Sequence, residues 1–174
     1  MIKKSLNTAF VAAALAVVSI GAFAESRAPE VDAVLNDLHD AASKADYNRY
    51  FSHFTEDAVF LGTDPSERWS ISEFRTYTKA RFDRGNGWTY IPKERHVFLS
   101  KDGKVAWFDE KVESQKYGNM RGTGVLVRSG KAWKVAQYSL LKPIPNELFV
   151  RIVEMIEPQK ASNNPAPKSA APAQ

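Results

Sequence analysis

Three glycine-bearing turns in the second half of the chain set what it can fold into. Lys101-Asp102-Gly103-Lys104, Tyr117-Gly118-Asn119-Met120 and Arg128-Ser129-Gly130-Lys131 punctuate strand-like segments that run from Trp88 to Leu141. Turns this short join antiparallel neighbours and fix their register, and register decides which side chains share a face. With Asp102-Gly103 as a two-residue turn, Phe98 pairs with Trp107 and His96 with Asp109. Arg95 and Glu110 then pair on the opposite face. If Gly118-Asn119 and Ser129-Gly130 close the next two hairpins, Leu126 joins the Trp107 face, and so do Trp133, Val135, Gln137 and Ser139. This face is expected to line a half-open pocket, with Phe98, Trp107, Leu126 and Trp133 as its apolar wall. His96, Asp109, Gln137 and Ser139 stand at its polar end. A glycine bulge at any of these turns would shift a strand by one residue and undo part of that set. The other face carries Val97, Phe108, Val112, Val125 and Tyr138, so both faces call for cover. Helices can cover one and a second subunit the other, which makes a homodimer the expected assembly.

The first half supplies the helices. Val31, Val34, Leu35, Leu38 and Ala42 recur at helical spacing, which predicts an amphipathic helix from Pro29 to about Ala45. Asp46 is a candidate N-cap for a short second helix over Tyr47 to Phe54. A short strand over Ala58 to Leu61 follows, then a loop from Gly62 to Trp69. Ser70-Ile71-Ser72-Glu73 has the form of a capping box that opens a third helix to about Phe82. Beyond Leu141, Pro143 and Pro145 bracket a crossover into a last helix, Asn146 to Ile156. Helices first and antiparallel strands after them make an α+β layout: a strongly bent sheet on about three N-terminal helices, with an extra C-terminal helix. There is no βαβ alternation and no glycine-rich phosphate loop, so a Rossmann-type nucleotide site is not expected.

The ends carry a different signal. Lys3 and Lys4, an apolar run from Ala9 to Ile20, and Ala22-Phe23-Ala24 together read as a secretory signal peptide over residues 1–24, with Glu25 as the first mature residue. The protein is therefore expected in the periplasm or secreted, with no stable membrane anchor after cleavage. The chain has no cysteine, which removes both disulfides and lipoprotein anchoring. Residues 158–174 lack aromatic and branched aliphatic side chains and read as a disordered tail, which leaves one domain over 28–157. The formal charge of +4 falls to +2 without Lys3 and Lys4, and the remaining charges interleave in sign. Such a surface is solvated rather than a nucleic-acid track.

Nearly the whole domain, from Val31 to Leu141, resembles a known family. Tyr50-Phe51-Ser52-His53-Phe54-Thr55-Glu56-Asp57-Ala58-Val59-Phe60-Leu61-Gly62, after a helical opening, and Gly130-Lys131-Ala132-Trp133-Lys134-Val135-Ala136-Gln137-Tyr138-Ser139 at the close are similar to SnoaL-like domains of the nuclear transport factor 2-like superfamily. The resemblance implies a cone: a bent sheet wrapped on helices around a cavity, with Trp133 and alternating residues after it facing inward. It implies members that are ketosteroid isomerases, dehydratases, polyketide cyclases or non-enzymatic binding domains. Its enzymes pair an Asp or His base with Tyr or acid donors, a role open here to Tyr50 and Tyr77.

The expected function is binding of a small, largely apolar ligand in the cone. The alternatives are an isomerase, dehydratase or cyclase using His96 and Asp109 as an acid/base pair, and a dimeric interaction module. Glu110 with Arg95 reads as a cross-strand ion pair. Arg68 and Trp69, on the loop near the expected mouth, could meet a planar or acidic ligand. Tyr50 and Tyr77 complete the ligand-binding candidates. His39, His53 and His96 are too dispersed for a metal set, and no cofactor is expected.

Overall fold

The computed structural model describes residues 28–157. The leader at 1–24 and the tail at 158–174 lie outside the described residues. The elements in order are α1 (Pro29–Ser43), α2 (Tyr47–Ser52), β1 (Phe54–Leu61), β2 (Arg68–Ser70), α3 (Ile71–Phe82), β3 (Tyr90–Leu99), β4 (Val105–Ser114), β5 (Gly118–Ser129), β6 (Ala132–Leu141) and α4 (Asn146–Ile156). The strands form one open sheet in the order β2-β1-β6-β5-β4-β3. The fold is the expected α+β cone with one change. β1 lies parallel to β6, so the sheet is mixed rather than antiparallel throughout. A parallel partner needs a long crossover, and the whole stretch from α3 through β5 supplies it.

The helices start where their side chains say they should. Pro29 occupies the first turn of α1. The Asp46 carboxylate accepts the Arg49 amide at the head of α2. Ser70 and Glu73 exchange both capping-box hydrogen bonds at the head of α3. α1 buries Val31, Leu35, Leu38 and Ala42 against one face of the sheet, the inner face. Tyr50, Phe51, Phe54, Phe74 and Phe82 meet behind α2 and α3 as tilted and edge-on rings. β1 begins earlier than expected, because Val135 donates its amide to the His53 carbonyl at 2.7 Å and draws Phe54 into the sheet. The expected loop after Gly62 also holds a short edge strand, β2, paired back on β1.

Register decides the faces. β3 and β4 pair as expected: Arg95 with Glu110, His96 with Asp109, Phe98 with Trp107. At the next turn the expectation fails by an odd number of residues: Met120 pairs with Val112 rather than with Tyr117, and the faces swap. Gly118 sits at φ +63° and pairs with Ser114, so Gln115-Lys116-Tyr117 form the turn. A left-handed residue at the strand start is the glycine-bulge geometry, and glycine adopts it without a Cβ clash. Trp107 therefore faces Val125, and Leu126 lies beside Ala106 on the inner face. Trp133 and Val135 follow Leu126 inward. A second irregularity between Val135 and Gln137 then turns Gln137 outward and Tyr138 inward.

Candidate functional site

A cavity of about 740 Å³ opens at one end of the cone. Its rim is the β1–β2 turn, the segment at 87–90 and the β4–β5 turn. Its floor is the inner face at Met120 and Leu140. β2 sets Trp69 and α3 sets Tyr77 on one wall, their ring centroids 4.4 Å apart. Beneath them Phe74 stacks on Phe60 at 4.0 Å and 10°. Trp88 packs on Phe82 at 4.8 Å, and Tyr90 and Tyr117 complete the aromatic lining. Burial, with the neighbouring Tyr117 phenol, pushes the Tyr90 phenol above its usual range. Tyr90 is therefore a protonated donor at neutral pH.

The charged lining is mostly cationic. Arg81, Lys116 and Lys142 face one carboxylate, Glu67. Glu67 is partly engaged, since its Oε2 accepts the Asp64 amide at 3.2 Å. Lys142 donates to the carbonyls of Tyr117 and Asn119 at 2.8 and 2.9 Å. The arrangement can hold a flat apolar body and offer donors to one polar end. It presents no histidine and no aspartate among the lining residues.

A second polar group lies apart from this lining, between α1 and the inner face. Glu110, 1 % exposed, accepts from His39 Nε2 (2.8 Å), the Tyr138 hydroxyl (2.8 Å) and Arg95 Nε (2.9 Å). Arg95 also reaches Asp32 and Asn36 on α1 at 3.1 and 2.9 Å. Burial alone would raise the Glu110 carboxyl. The His39 hydrogen bond and the His39 and Arg95 charges outweigh it and hold the carboxyl below its ordinary value. Gly122, opposite Glu110, leaves the space this group occupies, because a Cβ there would overlap the Tyr138 hydroxyl. A side chain at Gly122 would prevent that close approach. With its carboxylate taken up on both oxygens, Glu110 fastens the helix to the sheet as the expected ion pair with Arg95, extended by two partners.

Of the residues picked out in the sequence, Trp69 and Tyr77 line the cavity. Tyr50 is buried in the aromatic core, and Arg68 is exposed beside the mouth without lining it. Leu126 and Trp133 are buried on the inner face, but not in the cavity wall. Trp133 donates to Glu30 on α1 at 3.4 Å instead. Phe98, Trp107, His96, Asp109, Gln137 and Ser139 share a face, as expected, but it is the outer one. Phe98 and Trp107 are half exposed and stacked at 5.8 Å. His96 and Asp109 sit opposite each other in register, yet the imidazole Nε2 bonds Glu94 at 2.9 Å. The pocket face was misplaced because turns fix relative faces and leave open which one the helices cover. Sequence reasoning passed over Arg81, Trp88, Tyr90 and Tyr117. Arg81 stands four residues beyond Tyr77 on α3, a spacing that puts both on one helix face.

The comparisons agree with this architecture. Residues 31–145 match the family described as SnoaL-like domain. The chain belongs to that family. No curated protein matches the sequence. Solved structures similar to this SnoaL-like protein include a nuclear transport factor 2-like protein of unknown function from Pseudomonas putida, with 15 % identity over 68 % of this chain and 88 % of that one, TM-score 0.55. A candidate aromatic ring hydroxylase from Novosphingobium aromaticivorans is 19 % identical over 67 % and 89 %, TM-score 0.57. A candidate scytalone dehydratase from the same organism is 12 % identical over 67 % and 83 %, TM-score 0.56. At these identities the likeness is one of fold. The SnoaL-like fold is one whose members are often ligand-binding proteins or isomerase and dehydratase enzymes.

Proposed function

We propose that this SnoaL-like protein binds a small, largely apolar molecule in the cone cavity, as a homodimer in the periplasm or outside the cell. The cavity carries the proposal. Its volume of about 740 Å³ falls among those of small-molecule sites, roughly 300–1,000 Å³, and aromatic rings with a few polar groups line it. Export rests on the leader read in residues 1–24. The dimer rests on the half-exposed Phe98 and Trp107 of the outer face.

The enzymatic alternative draws support from the fold shared with the candidate scytalone dehydratase. It would need a proton-transfer group beside the ligand, and His96 and Asp109 stand on the other side of the sheet. Binding without turnover fits the lining better.

Fluorescence titration with the neutral probe N-phenyl-1-naphthylamine tests the proposal. Wild type should bind it saturably. Tyr77→Ala should weaken binding roughly tenfold, the equivalent of about 1.5 kcal/mol for one lost aromatic contact. His96→Ala should leave binding unchanged. Absence of saturable binding, or loss in His96→Ala with Tyr77→Ala unaffected, would rule out the cavity as the site.

A further inference from the structure

We infer that the ligand carries a carboxylate on a planar apolar body, and that Arg81 receives that carboxylate. This rests on the cavity reading above and adds the charge of the ligand to it. Arg81 lies in the last turn of α3, one turn beyond Tyr77, and both line the cavity. Its guanidinium carbon stands 5.7 Å from the centroid of the Trp88 ring, which holds the side chain against the wall.

Arg81 combines a place in the cavity wall with the absence of an acceptor. Arg49 is paired with Asp37 and Asp40, and Arg95 with Asp32 and Glu110. Arg81 has no ion pair among the described residues, and its Nε is buried without a hydrogen-bond partner. A buried donor left unmade costs more than a made bond returns, so such a group is a poor structural element and a good receptor. Of the other lining cations, Lys142 is held by two carbonyls, and Lys116, like Arg81, lies over a ring. Among the lining cations, Arg81 is the one with a buried donor that lacks a partner.

The chemistry narrows the anion. A guanidinium is a flat fork that matches a carboxylate with two parallel bonds. Arg81 is one residue from the C-terminal end of α3, where the helix carbonyls are partly negative and disfavour a doubly charged group such as phosphate. A singly charged carboxylate matches the fork and is opposed less by those carbonyls than a dianion is. The rings of Trp69, Tyr77 and Tyr117 suit an aromatic or otherwise flat body attached to it.

Isothermal titration with 2-naphthoate and with its neutral isostere 2-naphthamide, on wild type and Arg81→Gln, reads the charge directly. Wild type should prefer the carboxylate about tenfold or more, the usual range for a charged hydrogen bond. Arg81→Gln should lose that preference while binding the amide within about twofold of wild type, which also reports an intact cavity. Equal binding of the two compounds by wild type, or a preference that survives in Arg81→Gln, would overturn the inference. Binding of N-phenyl-1-naphthylamine without any binding of 2-naphthoate would overturn the charge assignment and leave the cavity standing. Failure of all three compounds would overturn both.

Discussion

Glu110 links its own strand to three other elements of the fold. It ties β4 to α1 through His39, to β3 through Arg95 and to β6 through Tyr138. A carboxylate buried this deeply is tolerable because its oxygens are satisfied and its charge is answered. Glu110→Gln keeps the shape and removes the charge, leaving Arg95 buried beside a neutral amide. Urea unfolding at pH 7 should show a loss of about 3 kcal/mol, the range for breaking one side of a buried pair. The sign with pH follows from the lowered folded-state value. The Glu110 contribution is complete above the ordinary carboxyl value of 4.5 and is lost as pH falls below it. Wild type should therefore lose stability below about pH 4.5, and the variant should show a flatter profile there. A variant as stable as wild type at pH 7 would mean the pair holds little. Half of this network was legible beforehand: the Asp102-Gly103 turn places Arg95 against Glu110. His39 and Tyr138 were not, because a helix-to-sheet contact leaves no local spacing to read.

Among the elements, the helices were the most legible, since Pro29, Asp46 and the Ser70–Glu73 box act locally and the apolar spacing of α1 is regular. The strands were legible pair by pair and failed where the pairing changed step. The turn before Gly118 shifts β5 by an odd number of residues, and the irregularity after Val135 shifts β6 by one. The first carries Leu126 and Trp133 away from Trp107, and the second returns Gln137 to the Trp107 face. The outer surface of the β3–β4 hairpin keeps Phe98 and Trp107 stacked and half exposed, next to Val125. α4 adds more apolar surface rather than core: none of its residues is buried, and Leu148, Phe149 and Val153 are all exposed. If a second copy covers the hairpin, sedimentation velocity should show a dimer for wild type and a monomer for Trp107→Glu. Thermal stability of the Trp107→Glu monomer should show no cavity-type loss, because Trp107 is outside the core. A wild-type monomer at tens of micromolar, or a dimer that survives Trp107→Glu, would place the contact elsewhere.

The whole molecule is a cone whose two surfaces divide the work. The inner face is closed by α1 at one end, through Glu110, and stays open at the other, where α3 and β2 hold aromatic rings around the cavity. The α+β cone could be read from the order of helices and turns. The cavity wall could not, because its side chains come from five separated stretches that meet only in the folded chain. A crystal structure of the protein grown with 2-naphthoate locates the ligand directly. If the cavity is the binding site, the rings should lie against Trp69, Tyr77 and Tyr117, with the carboxylate within hydrogen-bond distance of Arg81. An empty cavity, or the compound seated on Phe98 and Trp107 of the outer face, would contradict it.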